Sequence, residues 1–424
     1  MRVRDLAIET LLFRFHQQSR YSVAALLGAV EVDPHLIDLR VLVRSEIPDN
    51  LIREELKSGN VAIAYSVMST QLERVEHEAR HLRDVFGDQI VLMAGGPHAS
   101  TRPMDLVDMG FDIVVVGEGE RVFPEILRRL TTGKSVDGIA GVVTADTKII
   151  PKPRNLPRVN LDEYPPFAIG RNIVGPIEVT RGCPFKCKFC STPFLTGGVV
   201  RHRSIERVRF WLQQAVEKRG FKRAWFLSPN ALSYGGHGRR TKPEKLKELL
   251  ERTSTIDGLD ELYFGSFPSE VRPEFVTYEI LRMMREYVAN TTLQIGLQSG
   301  SDRVLEICNR HHTVDDGINA ARIALDTGFI PHIDMIFGLP GETPADRERS
   351  IRICEELIDM GAKIHAHVFM PLPGSDFASM PPGELDTETR RRLGDLSRKG
   401  FVTGSWGNQE RIARHLATLR HRKT

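Results

Sequence analysis

Two runs of alternating strand and helix patterns, separated by a proline-rich stretch, dominate this 424-residue chain. Alternation of this kind needs crossover helices laid on a parallel sheet, so it restricts the fold to the α/β class before any motif is considered. In the first run, strands are expected at 11–15, 37–43, 61–68, 90–97 and 111–120, with helices over 21–32, 71–86 and 121–130. The segment VAIAYSVM is almost wholly apolar, as a strand covered on both faces should be. Ser22 is expected to cap the first helix. A hairpin-like stretch, GVVTADTKIIP, closes the run. The pattern predicts a doubly wound, Rossmann-like domain over residues 1–150. Residues 151–169 carry five prolines and no hydrophobic period, and read as a linker.

The second run has strand candidates at 176–182, 223–229, 261–267, 292–298, 331–338 and 363–370. Helical patterns fill the gaps, for example at 243–253, 276–287 and 345–360. Six βα units over 170–375 predict an incomplete, partial barrel or a wide open sheet, with chemistry at the C-terminal ends of its strands. Residues 376–424 predict a small helical extension, with helices near 387–398 and 410–419.

Composition narrows the function classes. Hydrophobic residues make up 41% and charged residues 27%, an ordinary globular balance that excludes a disordered tail, a collagen and a coiled-coil rod. No run of 18 apolar residues exists, so no membrane-spanning helix is expected. The first 16 residues are broken by Arg14 and lack a small-residue cleavage site, so they do not read as a secretory signal, and a cytoplasmic location is expected. The net charge, 58 − 55 = +3, gives no argument for nucleic acid. The short basic run Arg390–Arg392 stops at Leu393 and reads as a solvated helix face.

The five cysteines are few and odd in number, which argues against a disulfide scaffold and fits a reducing compartment. Three of them, Cys183, Cys187 and Cys190, fall within eight residues as C-x3-C-x2-C, just beyond a strand. Three thiolates at this spacing can hold one side of a [4Fe–4S] cluster and leave one iron open to a small chelating ligand. Structural zinc wants four ligands, usually as two C-x2-C pairs, and no second pair lies nearby. Cys308 and Cys354 fall in helical patterns and read as core.

The cysteine motif, with the aromatic Phe189 before its last member, resembles that of the radical S-adenosylmethionine (radical SAM) enzymes. The resemblance implies that the open iron is chelated by S-adenosylmethionine and that one electron cleaves the sulfonium to a 5′-deoxyadenosyl radical. It also implies site positions residue by residue. Phe189 would lie near the adenine. Ser228 and Asn230 follow the second strand, where the family contacts the methionyl group, although the family's Gly-Gly-Glu is missing here. Ser269, Glu270 and Arg272 follow the third strand. Gln298 and Ser299 end the fourth, with Gln298 in a ribose-binding role that related proteins give to Glu. Asp334 on the fifth strand, and Pro371 and Leu372 after the sixth, complete the expected S-adenosylmethionine contacts.

The first domain resembles the cobalamin-binding domain fused to many such enzymes. The matching pieces are YSVMST, AGGPH and VGEGE, each following a strand at the edge where open α/β sheets bind ligands. The resemblance implies contacts from Tyr21, Ser22, Ser66, Met68, Ser69, Thr70, Gly95, Gly96, Pro97, His98, Gly117, Glu118, Gly119 and Glu120. Dinucleotide binding is the rival use of the fold, but VGEGERV comes late and lacks the third glycine of G-x-G-x-x-G. The D-x-H-x-x-G signature of histidine-ligated cobalamin is not matched: Asp33-Pro34-His35 precedes the second strand and has Asp38 at the glycine position. No protein histidine is therefore expected on cobalt.

Together these resemblances imply a cobalamin-dependent radical methyltransferase (class B). A one-electron reductant and a protein or peptide substrate would be its partners, and no catalytic group beyond the cofactors is named. RYSVAALLGAVE, FLSPNALSYG and FVTGSWG resemble the branch found in methane-forming archaea. That branch includes the enzyme that C-methylates a glutamine of methyl-coenzyme M reductase, so post-translational modification at that glutamine Cα is the expected reaction. The rivals are a methylthiotransferase, an enzyme of ring closure or rearrangement, and a non-catalytic cobalamin or iron–sulfur sensor. Methylthiotransferases carry three further cluster cysteines in their N-terminal domain, and residues 1–182 here contain none.

Overall fold

The computed structural model describes residues 7–418, which fall into two compact units dividing at Gly175 and Pro176, with Phe194–Thr196 grouped with the first unit. Leu419, the expected end of the last helix, and the basic residues after it lie outside the described residues, as do Met1–Leu6.

The first unit is built on one sheet of six strands. Its order is Arg40–Arg44, Ile8–Arg14, Asn60–Ser66, Ile90–Gly95, Ile113–Val115 and Val142–Val143. The first five run parallel and the last is antiparallel. The central strands are buried along nearly their whole length because helices cover both faces of the sheet. The chain reverses its winding direction between Ile8–Arg14 and Asn60–Ser66, so the crevice outside these strand ends is the natural ligand edge. The strand expected at 111–120 is only three residues long, and in VGEGE the first three residues are loop while Gly119 and Glu120 open the helix Gly119–Thr131.

The structure differs from two of the expectations. Ser22 does not cap the first helix, which runs Arg20–Glu31 with Ser19 at its N-cap; the Ser22 hydroxyl donates instead to the Ser19 carbonyl at 2.9 Å. The stretch 151–169 is not a free tether. Its prolines alternate with apolar residues, and Val159, Leu161, Phe167 and Ala168 are buried in the first unit. Gly28 permits this packing, since a Cβ there would come within 2.7 Å of the Phe167 carbonyl oxygen. The first unit accordingly extends to Gly175 rather than ending at residue 150.

The second unit is an open wall of parallel strands. Ile177–Glu178, Arg223–Leu227 and Glu261–Tyr263 form one part, in that spatial order. Thr292–Gln298, Ile330–Phe337 and Lys363–Val368 form the other. Residues 265–271 join the parts: Gln294 N–H donates to Gly265 O at 2.8 Å, and Val271 bridges to Ile295. The result is the expected partial barrel of six strands. The C-terminal region adds something the periodicity did not show. Val402–Thr403 pairs as a short seventh parallel strand with Ile364 and His365, between the helices Thr387–Arg398 and Trp406–Thr418. A two-residue strand is too short to leave a hydrophobic pattern.

Candidate functional site

The cysteine loop hangs between two short antiparallel strands, Thr180–Arg181 and Arg201–His202. Within it, Lys186 has φ of +52°, a left-handed turn that a non-glycine residue adopts at a cost. The turn is held from the next layer: Asn309 Nδ2 donates to Phe185 O at 3.1 Å and to Lys186 O at 2.9 Å. Lys188 N–H donates to Cys308 O at 3.0 Å. Cys187 is buried, and Cys183 and Cys190 are half-buried.

Two guanidinium groups converge on Cys187. Arg272 Nη1 lies 3.5 Å and Arg310 Nη1 3.4 Å from its sulfur. Arg272 stacks on the Phe185 ring at 3.9 Å and is held by Glu274 at 2.7 Å. His312 in turn donates to or shares a proton with Glu274 at 3.2 Å. Burial alone would raise the Glu274 pKa, but His312 and Arg272 outweigh it and bring the carboxyl down to about 2. Burial pushes the Cys183 thiol up to about 11 and raises Cys190 as well. These thiols hold their protons at neutral pH until a metal displaces them. Three cysteines in one pinned loop, with two cations beside the most buried sulfur, suit an anionic iron–sulfur cluster with three protein ligands.

Beside this loop lies a cavity of about 560 Å³. Six of the expected S-adenosylmethionine residues share its wall: Phe189, Ser269, Glu270, Gln298, Asp334 and Leu372. Glu270 accepts from Gln298 Nε2 at 3.2 Å, and burial, then the nearby Asp334 charge, raises its pKa. Gln298 itself sits at φ +80°, where the fourth strand ends. The remaining candidates lie off the wall. Ser228 is tied to the wall residue Ser269, its N–H donating to Ser269 Oγ at 3.1 Å while Ser269 Oγ donates to Phe226 O at 2.6 Å. Ser299 is fully buried against Ser350, and Pro371 is buried too. Asn230 lies with Cys183 in a separate small recess, its buried Nδ2 without a hydrogen-bond partner. Arg272 serves Cys187 as described.

The same cavity holds two histidines that sequence reasoning missed, His365 and His367, beside the expected Asp334. Asp334 Oδ1 accepts from Gln294 Nε2 at 2.7 Å and lies 3.0 Å from His365 Nδ1 and 3.3 Å from His367 Nε2. The signal was present as His-x-Asp and His-x-His on two neighbouring strands, where alternate residues share one face. Arg310, beside Cys187, was missed as well.

In the first unit the expected cobalamin residues gather at the C-terminal strand ends. Ser22 and Ser66 share a hydrogen bond of 2.8 Å. Gly96, at φ +96°, brings its backbone so close to Val67 that a Cβ would lie 2.9 Å from Val67 N. Gly95 ends the fourth strand, and Pro97 opens the short helix that follows. Tyr21, Met68 and Thr70 are half-buried at this edge. Gly117 N–H donates to Ser100 Oγ at 3.0 Å, and the helix starts at Gly119. Other candidates are spent on internal bonds. Ser69 Oγ pairs with His98 Nδ1 at 2.9 Å, His98 is wholly buried with Asp105 at 3.4 Å, and Glu118 accepts from Val159 N–H at 2.7 Å. Glu120 is buried. His16, in the loop after the first strand, is buried with an unpartnered Nε2 and was not singled out in the sequence. Cys308 and Cys354 are core residues, both pushed up to about 12 by burial.

Comparison with known proteins agrees with this geometry. Residues 177–354 match the radical SAM superfamily, and residues 4–127 match the B12 binding domain. An uncharacterized protein of Methanopyrus kandleri is 26% identical over 77% of this chain and 71% of its own length. A tRNA-2-methylthio-N(6)-dimethylallyladenosine synthase of Haemophilus influenzae is 26% identical over 80% of this chain. The match spans only 62% of that synthase. Among solved structures, the radical S-adenosylmethionine methyltransferase TsrM from Kitasatospora setae shares the fold with a TM-score of 0.66 at 16% identity, over 88% of this chain and 77% of TsrM. The cobalamin-dependent S-adenosylmethionine radical enzyme OxsB matches with a TM-score of 0.64 at 16% identity, over 94% of this chain and 56% of OxsB. Among the described residues, no helix is long and apolar enough to cross a membrane. The chain thus carries a radical SAM domain and a B12 binding domain, and these two domains imply a [4Fe–4S] cluster, S-adenosylmethionine and cobalamin as its cofactors.

Proposed function

We propose that this enzyme is a cytoplasmic C-methyltransferase acting on an unactivated carbon of a protein or peptide. The observation that carries the reading is the pairing, in one chain, of a B12 binding domain with a radical SAM domain. The likeness in fold to TsrM, itself a methyltransferase, supports it. When bound, the cluster supplies the electron that cleaves S-adenosylmethionine, and cobalamin relays the methyl group.

The chain's own residues bind, orient and balance charge. Cys183, Cys187 and Cys190 are the cluster ligands, and Arg272 and Arg310 offset its negative charge at Cys187. Phe189, Glu270 and Gln298 form the wall beside them, with Glu270 and Gln298 offering hydrogen bonds to ribose hydroxyls. Ser66, Met68, Thr70 and the glycines at the first unit's strand ends receive cobalamin. The finer reading, methylation of a glutamine Cα in methyl-coenzyme M reductase, rests on the three segments RYSVAALLGAVE, FLSPNALSYG and FVTGSWG. Mass spectrometry of cellular proteins from a strain lacking the gene tests both levels. One peptide should lose a single methyl group, and complementation should restore it. An unchanged proteome would refute the protein-substrate reading.

The tRNA synthase relatives favour a second reading, methylthiolation. The lack of any cysteine in residues 1–182 stands against it, because no second cluster can be ligated there. A product that gains sulfur along with the methyl would decide for it.

Cobalamin should bind without a protein histidine on cobalt: His98 is wholly buried, with Nδ1 paired to Ser69 and Nε2, without a hydrogen bond, 3.4 Å from Asp105. The cob(II)alamin electron paramagnetic resonance spectrum should be the same in wild type, His16→Ala, His35→Ala and His98→Gln. A nitrogen splitting that vanishes in one variant would identify a ligand and overturn this expectation.

A further inference from the structure

We propose that His365, His367 and Asp334 form a binding site for one divalent transition-metal cation, separate from the cysteine cluster. The inference goes beyond the methyltransferase reading and does not depend on it. Asp334 and His365 are register partners on adjacent parallel strands, and His367 follows two residues on, facing the same side. One ligand atom from each of the three lies within 4.8 Å of the others. The spacings from Asp334 Oδ1, 3.0 Å to His365 and 3.3 Å to His367, have a specific meaning. Bonds of about 2.0–2.2 Å to nitrogen and oxygen, at right angles, place neighbouring ligand atoms about 3 Å apart. Both histidine nitrogens already stand at about that separation from Oδ1, and the three ligand atoms lie within 4.8 Å of one another.

The hydrogen bonding at Asp334 Oδ1 also fits a cation better than it fits the three groups alone. Gln294, His365 and His367 all approach the single oxygen Oδ1. One carboxylate oxygen offers about two lone-pair sites, so three donors crowd it. A cation placed between the rings and the carboxylate takes one lone pair from each ring nitrogen and one from Oδ1, and leaves the second lone pair of Oδ1 to Gln294. Two imidazoles and one carboxylate with open positions suit Fe²⁺, Mn²⁺, Co²⁺ or Zn²⁺ rather than Mg²⁺ or Ca²⁺. The site lies on the wall of the 560 Å³ cavity, so its open positions face the space a substrate oxygen or nitrogen can enter. His332 lines the same wall two residues before Asp334.

Gln409, from the C-terminal helix, gives the proposal a sharp edge. Its Oε1 accepts from Val368 N–H at 2.8 Å, so its NH₂ faces His367 Nδ1 at 3.1 Å. A histidine that ligates through Nε2 carries its proton on Nδ1 and needs an acceptor there. Metal binding therefore has to turn the Gln409 amide and break the Val368 bond. Gln409→Glu provides an acceptor to both groups at once and should tighten metal binding. A triad that only hydrogen-bonds internally predicts no such gain.

The test uses the full holoenzyme with the cluster oxidised and cobalamin in the Co(III) state, both silent in electron paramagnetic resonance. Titrated Mn²⁺ should lose its free six-line signal up to one equivalent per chain, and Zn²⁺ should displace it. The double variant His365→Ala/His367→Ala should weaken Mn²⁺ binding at least ~10-fold. It should keep its iron and cobalamin contents, which shows that the fold survives. Gln409→Glu should bind Mn²⁺ more tightly than wild type. The proposal is overturned if wild type leaves the free Mn²⁺ signal untouched and retains no Zn²⁺ after dialysis. It is equally overturned if the double variant binds Mn²⁺ as tightly as wild type.

Discussion

Cys183→Ala should abolish formation of 5′-deoxyadenosine from S-adenosylmethionine under strong reductant. With three cysteines and four irons, each thiolate would supply one of only three protein bonds to the cluster. Loss of one leaves a second iron without a protein anchor, and the loop cannot supply a substitute. Cys308 and Cys354 are buried in the core, and Cys308 packs among Val304, Leu339, Phe369 and Phe377. Anaerobically prepared wild type should hold about four irons per chain, while Cys183→Ala should hold few. Cys308→Ala should keep the iron and cost about 1 kcal/mol or more of stability, as a small cavity in a packed core does. Full deoxyadenosine formation by Cys183→Ala would refute the cluster assignment.

Arg310→Gln should be the most damaging change outside the cysteines. The half-buried guanidinium reaches Cys187 and donates to the Gly296 carbonyl. Burial opposes its charge, but Cys187 and Glu270 favour it more strongly, so its pKa is raised. A unit charge about 6 Å from a cluster, at an effective dielectric constant of about 20, interacts by roughly 3 kcal/mol. Its removal should lower the cluster reduction potential by roughly 100 mV, since an added electron loses a nearby cation. Glu270 would lose a compensating charge as well, and its already raised pKa would climb further. Arg310→Lys should recover part of the potential. A potentiometric titration that finds the same potential in wild type and Arg310→Gln would show that Arg310 does not sense the cluster.

Much of this was legible in the chain, and the exceptions have physical causes. The long buried strands, the two α/β units and the cysteine motif follow from hydrophobic runs and local spacing, which sequence displays directly. Helix ends were less legible. Ser22 is as good an N-cap residue as Ser19, and only the hydrogen bond from Ser22 to the Ser19 carbonyl separates them. The proline-rich stretch misled because composition does not reveal that Val159, Leu161 and Phe167 find a place in the core. Some site assignments depended on tertiary pairing. Ser69 and His98 look available in sequence but satisfy each other across 29 residues. Asp334, His365 and His367 come together through strand register, which no local window contains. Arg310 meets Cys187 across 123 residues for the same reason.

A methyltransferase of the proposed kind uses S-adenosylmethionine in two incompatible ways, once as a methyl source and once as a radical source. The most direct measurement is product stoichiometry on a peptide that spans the modified site and is deuterated at the target carbon. Dual use predicts methylated peptide, S-adenosylhomocysteine and 5′-deoxyadenosine in similar amounts, with the deuterium recovered in the deoxyadenosine. Deoxyadenosine without S-adenosylhomocysteine would contradict methyl transfer and point to rearrangement. Neither product, from protein with its cluster intact and reduced, would contradict catalysis altogether.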